Sequence, residues 1–527
     1  MSQGLAFFDR EQWSSRMDHP AYANSMLVPV SPQWVTSEAL MGAAYRRYVL
    51  GVTEMSVNRQ RLKKLPQDIS TDSDEQGLWQ GLLSDSGGLR SPVLTREKGD
   101  LLQVMPLVPN LAMFGCVLGG VNTHRWDPGS FIDSALLSGV GPAEYGSFVS
   151  QFQEALDVGS GDDLFARFVQ QALDGLRVAP APEQEPSLVK FAWRNGSRSR
   201  FALSPAERMT RDLRVAFRLK PILTRRQWTA ILESVLRLGL GTHELWLARL
   251  NWQVWEAACA AARDGEVPAR RDIESWWTSH REGAGLVELG APFRASLSRQ
   301  VAQLFQARLG LDLLLSSMDE AKVLPEWALK TSGDKKPSTA DTDDSVGVLE
   351  SFLQVVAQNR VAVRDALDAW QRSAHQPTGS LRSIANSIAD MNQNVAEAKA
   401  GFTKNVTEFV TYLLQQLVPS SPDDMAYDQG YVARQRGSSK SRSPWFGCLG
   451  PSVLVFAVHA CCSELGEAPG TLDDLQDYLR DYGIEASMNE LQSGETGQNL
   501  IRLGLVADSP DATSGRLLVN PFLQLGR

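Results

Sequence analysis

Ser204-Pro-Ala-Glu-Arg-Met-Thr-Arg-Asp-Leu-Arg-Val-Ala-Phe-Arg-Leu-Lys-Pro221 holds most of what decides the fold. Ser204 and Glu207 stand three apart, the spacing of a reciprocal capping box. Pro205 suits the first helical position, where its missing N–H would have no partner anyway. Pro221 ends the run. Wound at about 100° per residue, Met209, Leu213 and Phe217 share one side, while Arg211, Arg214 and Arg218 fall within about 60° of arc on the other. The segment predicts a helix with a dry face toward a core and a guanidinium row toward solvent. Thr224-Arg-Arg-Gln227 then opens a second helix in the same way, and the tract from His243 to Arg263 is helical and rich in tryptophan (Trp246, Trp252, Trp255).

Outward from this pair, helical spacing dominates and clean alternation is scarce. Thr36 caps an expected helix from Ser37 to about Leu50. Leu349, Leu353, Val356, Val363, Leu367 and Trp370 follow a three-four spacing with Arg360 filling one slot. After a break near Pro377-Thr-Gly379 the spacing resumes at Ile384, Ile388, Met391, Val395, Ala398, Phe402, Phe409 and Leu413. That pattern predicts a long helical hairpin with coiled-coil-like packing, set either against the body of the protein or against a partner. The run Leu111 to Val121, punctuated by Gly115, Gly119 and Gly120, fits a strand or a buried helix equally well.

The end of the chain has an ordered series of elements. An apolar helix starts at Pro451 and runs to Leu465; Thr471 caps a second from Leu472 to Tyr482, which Gly483 ends. Ser487-Met-Asn-Glu490 opens a third reaching Leu503, interrupted by Gly494 and Gly497. Leu505-Val506, a turn-rich stretch from Asp508 to Gly515, and Leu517-Leu518-Val519 make a hairpin. Helix, helix, helix, hairpin in this order resembles the winged-helix variant of the helix-turn-helix module. The resemblance rests on element order and covers only this last part.

Length and composition bound the rest. The 527 residues suggest about three or four domains at roughly 150 residues each. With 43% hydrophobic and 21% charged residues the chain is neither disordered, collagen-like nor membrane-embedded. Breaks at Ala179–Pro186 (APAPEQEP), Thr331–Asp344 and Pro419–Pro444 divide it into segments 1–178, 187–330, 345–418 and 445–527. The predicted class is mainly α and multi-domain, with the long helical hairpin and the C-terminal winged-helix-like module. The N-terminus lacks a basic region followed by a long apolar one, so no secretory signal is expected. Cys116, Cys259, Cys448, Cys461 and Cys462 are odd in number, lie in apolar settings and lack C-x-x-C spacing, which fits a reducing cytoplasm. The most apolar stretch, Trp445 to Cys462, is broken by Gly447, Gly450 and Pro451 and reads as a buried helix.

Enzyme signatures fail one by one. No phosphate-cradling G-x-x-x-x-G-K-[ST] loop occurs. His243-Glu244 opens like a zinc-protease motif, but the second ligand position is Leu247. Asp72-Ser-Asp74-Glu-Gln76-Gly77 imitates a calcium loop whose twelfth position is Leu83. Ser84-Asp-Ser86-Gly-Gly88 resembles the nucleophile region of trypsin-like proteases, with only His19 before it. Asp319-Glu320-Ala321-Lys322 offers nuclease residue types at what reads as a solvated helix end, and His124-Arg125-Trp126-Asp127 reads as structural. No metal ligand set and no cofactor are expected.

Charge is where the chain is distinctive. The overall formal charge is −9, yet between Lys190 and Arg226 stand Lys190, Arg194, Arg198, Arg200, Arg208, Arg211, Arg214, Arg218, Lys220, Arg225 and Arg226 against Glu207 and Asp212 alone. Arginine's planar fork matches phosphate oxygens in two bonds, and Phe191, Trp193 and Phe201 interleave as base-stacking surfaces would. Arg46, Arg47, Arg59, Arg61, Lys63 and Lys64 form a lesser cluster. A flexible arm with Arg434, Arg436, Lys440 and Arg442 precedes the C-terminal module, whose Gln498, Asn499 and Arg502 suit contact with base edges and whose Arg516 suits the wing. Asp473, Asp474, Asp477 and Asp481 against Arg480 would repel phosphate and suit protein docking instead. The leading expectation is a non-catalytic, cytoplasmic DNA-binding accessory subunit of a multi-protein DNA-processing or DNA-surveillance complex. It would grip the phosphate backbone through the arginine-rich segment, including Arg225 and Arg226, and meet other subunits through the hairpin and the C-terminal module. By analogy of design, bacterial antiphage defence suits such an architecture. A structural adaptor for acidic proteins and a nuclease with carboxylates gathered from distant segments stay open as alternatives.

Overall fold

The computed structural model describes residues 37–49, 108, 128–174, 203–282, 285–320, 322–323, 345–365, 402–416, 430–435, 444–466, 468–508 and 516–522. Over these the protein is mainly helical, with only short strands. Helix α1 (Ser37–Ala44) continues into a wider π turn at Tyr45–Val49. Then come α2 (Pro128–Val140), α3 (Pro142–Leu156) and α4 (Leu164–Asp174). Helix α5 spans Pro205–Leu219, and α6 spans Arg225–Asp264.

Both capping boxes form. Ser204 Oγ accepts from the Glu207 N–H at 3.3 Å, and Glu207 Oε2 accepts from the Ser204 N–H at 2.9 Å. Thr224 and Gln227 repeat the exchange at the head of α6. That helix ends at Gly265, whose φ of 78° is the left-handed geometry that glycine adopts without a Cβ penalty.

At 40 residues α6 is about 60 Å long and is the axis of the molecule. It is buried on nearly every side between Ile231 and Ala248. Helices α2 and α5 pack on it, as do α8 (Phe293–Glu320), α9 (Ser345–Gln358), α10 (Phe402–Leu414) and α11 (Pro451–Leu465). Between α6 and α8 lie the short α7 (Arg270–Ser275), a 3-10 turn at Trp276–Arg281, and strand β1 (Val287–Glu288). Burial on all sides leaves polar α6 side chains inside, and several of these bond the backbone. Thr242 donates to the Leu238 carbonyl at 2.7 Å and Asn251 to that of Leu247 at 2.8 Å. Arg237 caps the C-terminus of α10, with Nε donating to Leu413 O and Nη2 to Gln415 O, both at 3.1 Å.

Strand β2 (Ala433–Gln435) pairs antiparallel with β3 (Trp445–Gly447). After α11 come α12 (Leu472–Asp481), β4 (Ile484–Glu485), α13 (Met488–Gln492), α14 (Glu495–Arg502) and the antiparallel pair β5 (Val506–Asp508) and β6 (Arg516–Leu518). Strand β4 runs parallel to β1, with Val287 opposite Ile484. The third helix expected near the C-terminus is thus two, parted at Ser493-Gly494. The described parts of the expected hairpin are α9 and α10, both seated on α6; its turn and Leu367, Trp370, Ile384, Ile388, Met391, Val395 and Ala398 lie outside the described residues. Buried apolar side chains from all four expected segments form one continuous cluster.

Candidate functional site

Helix α5 buries two faces. Met209 and Leu213 enter the core as expected, and Gly239 of α6 lets the helices approach so closely that a Cβ there would lie 2.3 Å from Met209 Cγ. On a second face Arg208 is fully buried. Its guanidinium donates to Asp212 Oδ1, from Nη2 at 2.8 Å and Nε at 3.1 Å, and to both oxygens of Glu464 on α11, from Nη1 to Oε2 at 3.0 Å and from Nη2 to Oε1. It also stands 4.7 Å from the Tyr478 ring centroid. The Tyr478 and Tyr482 hydroxyls both donate to Asp212 Oδ2. Asp481 completes the cluster, 3.6 Å from Arg208 and 3.5 Å from Arg281. Burial raises the Asp212 pKa, although the Arg208 charge and the two tyrosine hydroxyls pull the other way. This ionic hub ties α5 to the C-terminal helices.

What remains of the arginine row is a narrow strip. Arg211 and Arg214 are half-exposed and Arg218 and Arg226 exposed. Arg214 pairs with Glu144 of α3 at 3.0 Å and lies over the Phe148 ring. Arg218 Nε donates to the carbonyl of Arg214 at 3.3 Å. Its charge is felt at His459 on α11, where burial lowers the proton affinity, the Asn520 contact opposes this and Arg218 adds to it. Lys220 donates to the Asp157 carbonyl at 2.6 Å and approaches Asp162 at 3.7 Å.

Arg225, expected on the phosphate-binding surface, is instead walled off. It donates to the carbonyls of Leu156 and Asp157 and to the Tyr45 hydroxyl, and it lies 5.0 Å from the Trp228 ring centroid. Its long stem carries the charge inward to orphan carbonyls at the end of α3, which the local sequence cannot announce. Arg47 likewise leaves the lesser basic cluster: it is buried against Asp133, which also accepts from Tyr48 at 2.5 Å and Tyr145 at 2.9 Å. Arg194, Arg198 and Arg200, with Lys190, lie outside the described residues.

Arg434 is part of β2 rather than of a flexible arm, and it forms an ion pair with Glu495. Arg436, Lys440 and Arg442 lie outside the described residues. On α14, Gln498 and Arg502 are exposed, whereas Asn499 is half-buried with Nδ2 3.9 Å from Cys448 Sγ. Arg516 begins β6 and donates to the Gln492 carbonyl.

The other candidate chemistry is absorbed by packing. His243 stacks on Trp246 at 5.4 Å, and burial pushes it down to about 3, so it is neutral. Cys259 and Cys462 are pushed up to about 11 by burial and Cys461 higher still, which makes these thiols poor nucleophiles. Lys322 stands exposed just beyond the end of α8 with φ 56°. The acid-base and loop motifs at 72–88 and 124–127 lie outside the described residues. Among the described residues no group of three or more His, Cys, Asp or Glu is placed to hold a metal ion, and no helix is long and apolar enough to cross a membrane. The chain matches no protein-family model, no curated protein and no solved structure.

The hub residues Glu464, Tyr478, Asp481 and Tyr482 escape sequence reading. Only Arg208 and Asp212, four apart, carry a local signal, and that spacing commonly marks an exposed helix pair.

Proposed function

We propose that the protein is a binding subunit of a DNA-handling assembly in the cytoplasm. Its contact with the phosphate backbone runs through Arg211, Arg214 and Arg218 of α5 and Arg226 at the head of α6. The observation that carries this reading is the solvent-accessible strip left after Arg208 and Arg225 are taken inward. Arginine forks on one helix face can each hold a phosphate oxygen pair. Glu144 shares the strip through its pair with Arg214, so the grip is weak and depends on salt, as suits an accessory subunit. Gln498 and Arg502 on α14 supply a second contact within a winged-helix-like module, and the segment that contains α9 and α10 carries partner subunits.

The test is a fluorescence titration of a short labelled duplex with wild type and with R211E/R214E/R218E. The expected result is loss of binding by about tenfold or more in the variant at low salt, with the far-ultraviolet circular dichroism of the folded protein retained. Equal affinity of the two proteins would end this reading. A second reading, docking on a protein partner, is favoured by Ile501, Leu503 and Val519, which stay 49%, 39% and 40% exposed on the C-terminal module.

A further inference from the structure

The hub between α5 and the C-terminal helices crowds carboxylates together away from solvent. Three carboxylates meet there: Asp212 from α5, Glu464 from α11 and Asp481 from α12. Two guanidiniums answer them, Arg208 from α5 and Arg281 from the 3-10 turn. Arg249 reaches the cluster through His280, and the remaining groups that line it are neutral. Burial pushes the hydroxyls of Tyr478 and Tyr482 far up and the Cys461 thiol up as well. His280 is pushed down to about 3 by burial, with Arg249 and Arg281 adding to that. Its Nε2 lies 3.1 Å from the carbonyls of both Leu203 and Asp481, two acceptors, so Nε2 carries the single ring proton. Three carboxylates gathered so closely, two of them out of contact with water, are costly to keep ionised together.

The three carboxylates differ in how well they tolerate ionisation. Asp212 accepts two N–H bonds from Arg208 and two hydroxyl bonds from the tyrosines. Glu464 accepts two N–H bonds from Arg208 and keeps contact with solvent. Asp481 is fully buried and accepts one weak bond on Oδ1, from the Leu203 N–H at 3.2 Å, while its Oδ2 has no hydrogen-bond partner. Its Oδ2 faces Arg208 only at 3.6 Å, beyond hydrogen-bond reach, so burial with a single weak donor favours the neutral carboxyl over the carboxylate.

We propose that Asp481 takes up a proton when the C-terminal helices seat on α5, so that seating is proton-linked and loosens as pH rises. In the seated state burial holds the Asp481 carboxyl at about 7 in spite of Arg208 and Arg281; released into solvent it returns to the ordinary aspartate range near about 4. Below both values the two states are protonated alike and seating is at its strongest. Between them only the seated state binds the proton, so the seating equilibrium falls by roughly tenfold per pH unit as pH rises, and above the upper value it levels off. Asp212 shifts in the same direction, so the contribution of Asp481 is read as a difference between proteins.

The experiment is hydrogen exchange of the α12 amides in wild type and D481N, corrected for intrinsic rates, between about pH 5 and about pH 6.5, inside the window just defined. Asparagine keeps the shape and stays neutral. Wild-type protection is expected to fall by about tenfold more per pH unit than that of D481N. A second readout is the carbon-13 titration of aspartate carboxyls, where a wild-type signal that titrates near neutrality is expected to be missing in D481N. Equal pH dependence of the two proteins, or no aspartate titrating above the ordinary carboxylate range, would overturn the proposal.

Discussion

Arg208 and Arg218 lie on one helix and in opposite media. The first is fully buried among Asp212, Glu464 and Asp481; the second is exposed and touches its own backbone. Removing one partner of a buried ion cluster leaves uncompensated charge, at a cost of about 3–5 kcal/mol. R208A should therefore lower the unfolding free energy obtained by urea titration by that much, and R218A by less than about 0.5 kcal/mol. Equal shifts would mean that the hub carries no net stability. On a helical wheel Arg208 sits about 60° from Arg211, so the sequence gives no reason to separate them. What decides the matter is Glu464, 256 positions further on. The half-exposed or exposed state of Arg211, Arg214 and Arg218 was legible from periodicity; the fates of Arg208 and Arg225 were written in remote carbonyls and carboxylates.

At the scale of elements, close approach decides what each helix tolerates. A Cβ on Gly139 of α2 would lie 2.4 Å from the Ala206 carbonyl oxygen, which is backbone and cannot yield cheaply. On Gly239 the obstacle is the Met209 side chain, which can turn aside. Overpacking of this kind costs about 1–3 kcal/mol. G139A is expected toward the upper end and G239A toward the lower, measured by denaturant unfolding; the reverse order would contradict the packing described. S204A removes a cap and should cost about 1 kcal/mol. Capped starts and glycine stops were the readable parts of the fold: Ser204, Thr224, Thr471 and Ser487 each accept the expected backbone bond. The unbroken extent of α6 was harder to see, because a helix buried on all sides loses the polar face that marks its period. The split between α13 and α14 was signalled by Gly494.

For the whole molecule, net charge and local charge give different expectations. The overall −9 repels a polyphosphate, and part of the dense arginine segment is consumed in holding α3, α11 and α12 against α5 and α6. Composition alone could not apportion guanidiniums between structure and surface, since both uses need the same residue type. The accessible share on α5 and α6 is Arg211, Arg214, Arg218 and Arg226. The slope of log affinity against log salt for a non-specific duplex reads that share directly, at about 0.9 per phosphate neutralised. The account predicts a slope of about −3 to −4 for wild type and a much shallower one for R211E/R214E/R218E. No measurable binding at low salt, or a slope that the triple variant leaves unchanged, would contradict it.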